Sequence, residues 1–192
     1  NSHGFRGPEF PEKVNVVAFG CSFTMGSGIL EEHTWPSQLA KIAGLSVLNL
    51  GHAGSSNDTA LRFADFYLPK LKPQYAVWLQ TDSHRIELID QSCDRAVNLH
   101  HSSEDNLCKN DYFVKVWFSS FENHRLNLLK NTLAFEHLCQ TLNIIPIIIP
   151  REQVIFNDVA RDLRHPGPAS NCKLAGQIYD KINQRTALVP DQ

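Results

Sequence analysis

The stretch Val14-Asn15-Val16-Val17-Ala18-Phe19-Gly20-Cys21-Ser22 decides the fold. Val14–Phe19 is a β-branched-rich run stopped by Gly20. Nearly continuous apolar runs of that length are what strands look like when a sheet is covered on both faces. Ser46–Leu50, Tyr75–Gln80 and Ile144–Ile149 repeat the pattern, and Val154–Asn157 adds a fifth, shorter candidate. Helical patterns separate them. Thr34 caps one with Pro36 in its first turn, Leu39 and Ile42 on the buried side and Gly44 past its end. A second starts at Asn57 or Asp58 and runs through Leu61, Ala64 and Leu68 to Pro69. The longest spans about Glu122 to Leu142, with Leu128, Phe135, Cys139 and Leu142 at helical spacing and Leu126, Leu129 and Leu133 widening the stripe. Ser170 caps a final helix through Leu174, Ile178 and Ile182. Alternating strands and helices predict an α/β chain, a three-layer α/β/α sandwich on a mostly parallel, flavodoxin-like sheet of four to five strands.

The 192 residues carry 18 Lys+Arg against 20 Asp+Glu, a net charge of −2, and 42% are hydrophobic. We read residues 1–192 as one domain, with 1–13 a lead-in and 90–111 a long polar loop or insertion. No basic run supplies the electrostatic footprint of a nucleic-acid binder. The longest apolar stretch is short and broken by Pro146, so no membrane span is encoded. Five cysteines (Cys21, Cys93, Cys108, Cys139, Cys172) are an odd number without a C-x-x-C pair. They are expected to be reduced thiols in the cytoplasm. The chain opens at Asn1 without a signal-peptide pattern, and an upstream segment stays open. His100-His101 is the one adjacent histidine pair, and it reads as part of a solvated loop. No zinc-type spacing occurs, so no metal and no cofactor are expected.

In an open α/β sheet, ligands bind beyond the carboxyl ends of the strands. The four turns there are Gly20–Gly28, Gly51–Asp58, Thr81–Arg85 and, further along, Arg161–Pro168, all rich in small and polar residues. The first turn is not a phosphate loop. Met25 stands where a G-x-x-x-x-G-K-[ST] loop needs glycine, and Gly26-Ser27-Gly28 continues as Ile29-Leu30-Glu31 rather than as a dinucleotide fingerprint. Thr24 also breaks the G-x-S-x-G nucleophile elbow. Ser22 remains, together with Asp162-x-x-His165. A serine hydroxyl attacks carbonyls when an imidazole takes its proton and a carboxylate orients that imidazole. Beside it, Cys21 is expected to pack inward, and Trp35, Trp78 and Trp117 to sit in the core or at its rim. His33 and His52 are expected at the surface or in caps. Asp82, Arg85 and Glu87 read either as an ion pair closing the third turn or as substrate binders. Arg151 either faces an anionic substrate or salt-bridges on the surface.

These blocks resemble the SGNH/GDSL hydrolases. Gly20-Cys21-Ser22-Phe23-Thr24 is similar to the first block, with Cys21 in place of the usual Asp; Asn49-Leu50-Gly51-His52-Ala53-Gly54 is similar to the second; Asp162-Leu163-Arg164-His165 is similar to the last. Asn1–Glu9 is similar to a lead-in of some members. The resemblance implies a serine esterase or acyl-hydrolase acting on a small-molecule or glycan ester, a short acyl or O-acetyl group included. In it Ser22 is the nucleophile, His165 the base and Asp162 its supporting acid, and the backbone N–H groups of Ser22 and Gly54 bind the oxyanion. The third block departs from G-x-N-D and reads Gln80-Thr81-Asp82-Ser83. Members of this kind carry a Thr and a downstream Arg, here Thr81 and Arg85. Thr81 is thus the expected third donor, with Ser83 and Asn57 as alternatives, and Arg85 and Asn57 are the expected substrate-binding side chains. The alternative is a catalytically weak SGNH-like module that binds glycan or a protein partner.

Overall fold

A computed structural model describes residues 1–91, 95–99 and 112–186. Four parallel strands form the sheet: β1 (Val16–Gly20), β2 (Val47–Gly51), β3 (Tyr75–Leu79) and, later in the chain, β6 (Ile145–Ile149). Their order is β2-β1-β3-β6. Val16 pairs with Val47 on one side and Tyr75 on the other, and Tyr75 pairs in turn with Ile145.

The pleat sends alternate residues to opposite faces, and both faces are covered. Val16, Ala18, Tyr75, Val77 and Leu79 pack with Trp35 and Leu39 of α2 (Trp35–Ala43) and Leu174, Ile178 and Ile182 of α6 (Pro168–Thr186). Val17, Phe19, Ala76 and Trp78 pack on the other side with Ala60, Ala64 and Leu68 of α3 (Asn57–Leu71) and Phe135 and Cys139 of α5 (Phe121–Thr141). The result is a three-layer α/β/α sandwich. Trp35, Leu39, Phe19 and Phe135 are wholly buried; truncating any of them to alanine costs about 2–5 kcal/mol.

The expected caps form. Thr34 accepts from the Ser37 N–H at the start of α2, and Gly44 ends it in a left-handed conformation. Ser56, one residue before the expected start, caps α3 in a reciprocal box with Thr59. The final helix begins at Pro168, two residues before Ser170. Its first turn is held by the Asp158 carboxylate, which accepts from the N–H groups of Ala169 and Ser170.

Three expectations are corrected. Val154–Asn157 is not a strand: it follows a 3-10 turn (Arg151–Gln153), only Val154 is buried, and the Asn157 N–H is used by the Ser170 hydroxyl. Part of 90–111 is regular, because β4 (Ile86–Asp90) and β5 (Arg95–Leu99) form an antiparallel hairpin. Asn98 anchors it by accepting from the Ser56 N–H and the Thr59 hydroxyl. His100-His101, Cys93 and Cys108 lie outside the described residues. The third correction concerns buried faces. Ile42 is 43% exposed, and Leu126, Leu129 and Leu133 of α5 face outward. The inward stripe of α5 instead carries His124, Asn127 and Asn131 before Phe135 and Cys139. Asn127 and Asn131 both donate to Oδ1 of Asp58 at 2.9 Å, and His124 Nε2 donates to the carbonyl of Trp117 in α4 (Tyr112–Ser119) at 2.8 Å. Polar groups at the start of α3 need donors there, so amides displace leucines.

Among the described residues no helix is long and apolar enough to cross a membrane.

Candidate active site

β1 ends at Gly20, and the chain turns at once into the one-turn helix α1 (Ser22–Met25). Ser22 is thereby delivered to the carboxyl end of the central strand. The segment between β6 and α6 brings the other two residues to it. Val159 bridges Pro166 and the Ala160 N–H donates to the His165 carbonyl at 2.8 Å, closing a loop with Asp162, Leu163 and Arg164 at its tip. Leu163 turns that tip with φ of 58°. From the α6 side Asn171 donates to the Pro166 and Gly167 carbonyls, fixing the backbone just after His165.

Within this frame the Asp162 carboxylate lies 2.6 Å from His165 Nδ1, and His165 Nε2 lies 2.9 Å from Ser22 Oγ. The other Asp162 oxygen accepts from the N–H groups of Arg164 and His165 at 3.0 and 3.1 Å. Those two backbone bonds, with the imidazole bond, hold its pKa at about 2. An ionised carboxylate only accepts, so the proton on this face of the imidazole is on Nδ1 and Nε2 is left to accept from the serine hydroxyl. The imidazole also packs edge-on against Phe23, with centroids 5.6 Å apart.

The other predicted residues lie just past the carboxyl ends of β2 and β3. Thr81 lies two residues past the end of β3, the strand that pairs with β1. Thr81 is 4% exposed, and its hydroxyl makes no hydrogen bond among the described residues. Asn57 does not present a free amide. Its Nδ2 donates to the Thr81 carbonyl at 3.0 Å and its Oδ1 accepts from the Thr81 N–H at 2.9 Å, so the side chain pins Thr81 as a neighbouring strand would. Gly54 sits in the open turn after β2 with φ of 76°, a conformation that favours glycine, and nothing lies within 4 Å of its missing Cβ. Ser83 is half-buried. Arg85 donates to the Ser55 carbonyl at 3.4 Å and to Asp82 at 3.1 Å, tying the second and third turns together. Glu87 is not part of that ion pair; it binds Arg62 on α3 at 2.8 Å. Cys21 packs into the core as expected, with Ser22 Oγ 4.0 Å from its sulfur. Burial pushes the Cys139 thiol up to about 12. Trp35 and Trp78 are core residues and Trp117 lies at the rim; His33 and His52 lie at the surface.

Two supports carry no signature in the sequence. Arg6, in the lead-in, donates to the carbonyls of Met25, Gly26 and Ile29 and so holds the loop that leaves α1. Gly28, in that loop, accepts from the N–H and Nε of Arg161. In the sequence, Gly26-Ser27-Gly28 marks that loop without indicating its partner.

Neither protein-family models nor curated protein sequences match the chain. Solved structures do. The esterase EstA from Pseudoalteromonas sp., in a structure inhibited by monoethylphosphonate, is 13% identical over 90% of this chain and 99% of its own, with a TM-score of 0.52. An acetyl xylan esterase from the rumen bacterium Butyrivibrio proteoclasticus is 10% identical over 95% of this chain and 67% of its own, with a TM-score of 0.51. At such identities the likeness is one of architecture, and it agrees with the strand order and with the layers: this chain has the fold of the SGNH/GDSL esterases and acylhydrolases.

Proposed function

We propose that the protein is a serine esterase that cleaves a short acyl ester, O-acetyl groups included, through an acyl-enzyme. The observation that carries this reading is the hydrogen-bonded line Asp162–His165–Ser22, with distances of 2.6 and 2.9 Å. Ser22 Oγ attacks the carbonyl carbon while His165 Nε2 takes its proton. The tetrahedral intermediate collapses, and the same proton passes to the departing alcohol oxygen. Water then repeats the sequence on the acyl-serine, releasing the acid and restoring Ser22.

The backbone N–H groups of Ser22 and Gly54 and the Thr81 hydroxyl are the proposed oxyanion donors. A buried hydroxyl without a partner costs about 1–3 kcal/mol. A substrate oxygen arriving at Thr81 offsets that cost, and a donor aimed at the oxyanion contributes roughly 3 kcal/mol in the transition state. Asn57 and Arg85 act here by holding the second and third turns at their spacing. Free Cys21, Cys139 and Cys172 suit a reducing compartment, and the cytoplasm is the proposed location.

The test is hydrolysis of a short-chain aryl ester together with covalent labelling by a fluorophosphonate. The wild type should turn over the ester and carry the label on Ser22, and Ser22→Ala should lose both while keeping its circular dichroism. A label on Cys21, or one that persists in Ser22→Ala, overturns the assignment. A folded wild type that neither hydrolyses esters nor takes the label favours a binding module, a reading to which the third block, lacking a free Asn amide, lends support.

A further inference from the structure

Arg151 follows β6 at the same end of the sheet as Ser22. Its guanidinium carbon stands 4.1 Å from the centroid of the Phe23 ring and 5.8 Å from that of Phe156. Phe23 directly follows Ser22 and meets the His165 imidazole edge-on. One ring therefore separates a guanidinium from the imidazole of the proposed base.

The charges around it do not cancel. Asp82 is the one ionic neighbour of Arg151 among the described residues, with Oδ1 4.0 Å from Nε. That is beyond hydrogen-bond reach, and the second Asp82 oxygen is taken by Arg85 at 3.1 Å. Two guanidiniums thus share one carboxylate, an excess of one positive charge among these three side chains. Arg151 makes no hydrogen bond through its guanidinium among the described residues, and its side chain is 27% exposed. A guanidinium held against an aromatic face has its orientation restricted while its N–H edge stays open. That is the arrangement that captures a carboxylate or phosphate with two parallel bonds.

We propose that the ester this site takes carries an anionic oxygen group, a carboxylate or a phosphate, near the scissile bond, and that Arg151 binds it. The proposal rests on the esterase reading of Ser22. Phe23 and Phe156 flank the uncharged part of such a substrate, and Asp82 competes with its anion for the guanidinium.

The test compares matched esters. On the alcohol side these are phenyl acetate, 3-acetoxybenzoate and 3-acetoxyphenyl phosphate; on the acyl side, 4-nitrophenyl valerate and mono-4-nitrophenyl glutarate. The wild type should favour an anionic member by about 10- to 100-fold in kcat/KM, and the preferred member identifies the anion and the side on which it sits. Arg151→Gln should collapse that ratio toward one, and Asp82→Asn should raise it. A merely structural Arg151 has no reason to give opposite signs in the two variants. Equal rates for all members of both series, or a preference unchanged in Arg151→Gln, overturns the proposal. If no ester is turned over and no fluorophosphonate label appears, the esterase reading fails, and calorimetric titration with 3-hydroxybenzoate and inorganic phosphate decides the anion site alone. Binding by wild type that Arg151→Gln loses supports it, and absence of binding by wild type overturns it.

Discussion

Gly28 and Asp162 meet without room for a methyl group between them: a Cβ on Gly28 would lie 2.9 Å from both Cγ and Oδ2 of Asp162, and as close to Ala160 Cβ. The glycine also has φ of 77°. The loop that leaves the helix of Ser22 is in this way the wall against which the carboxylate rests. Gly28→Ala is expected to push Asp162 off the imidazole and lower kcat by about 10- to 100-fold, since a displacement near 1 Å suffices for that. Steady-state kinetics beside unchanged far-ultraviolet circular dichroism check it; full activity would show that the wall yields.

Arg6 secures the same loop from the other side. Arg6→Ala leaves the carbonyls of Met25, Gly26 and Ile29 without their fork of donors. Urea unfolding should show a loss of about 1–3 kcal/mol, and kcat should fall more than KM rises. Lysine, a point charge in place of a planar fork, should restore only part of either quantity.

The pH dependence separates the two members of the Asp162–His165 pair. Asp162 is depressed to about 2, so its contribution to holding the loop is complete above the ordinary carboxylate range and fades as pH falls through about 2. An acid loss of kcat/KM well above that pH therefore does not come from protonation of Asp162. Asp162→Asn removes the carboxylate that fixes the imidazole's tautomer and orientation, so kcat should fall on the order of 1,000-fold or more. An unchanged kcat in that variant would detach Asp162 from the histidine.

Thr81→Val preserves shape and deletes one hydroxyl. The expected result is a kcat lower by roughly 10- to 1,000-fold with KM nearly constant. Ser83→Ala should leave kcat within a few-fold, and the reverse ranking would transfer the role to Ser83. Asn57→Ala is a different experiment, because it releases the Thr81 backbone and should also lower Tm.

The sheet was legible in the sequence because β1 and β3 are buried on both faces, and β6 is buried at Ile147 and Ile149 and half-buried elsewhere, so all three are written as apolar runs. Ser22, Asp162 and His165 were legible as residue types at suggestive places, and the structure brings the three together. What escaped notice follows from partners remote in the chain. The leucines of α5 promised an apolar stripe, yet Asp58 on another helix needs donors and the stripe is built from asparagines. Asn98 gave no sign of a strand, because the groups it satisfies belong to the start of α3. Arg6 and Gly28 are legible only once the loops they touch are in place.

Pro146 is more than an interruption in an apolar run. The Ile145 N–H points to the Gln74 carbonyl next to β3, so by alternation the nitrogen of Pro146 faces the side of β6 that pairs with no strand among the described residues, where it has no hydrogen to give. A foreign strand approaching that border finds its ladder broken near the start. The outer margin of the sheet thus carries its own stop against edge-to-edge association, at a position where Val or Ile would have offered an uninterrupted template.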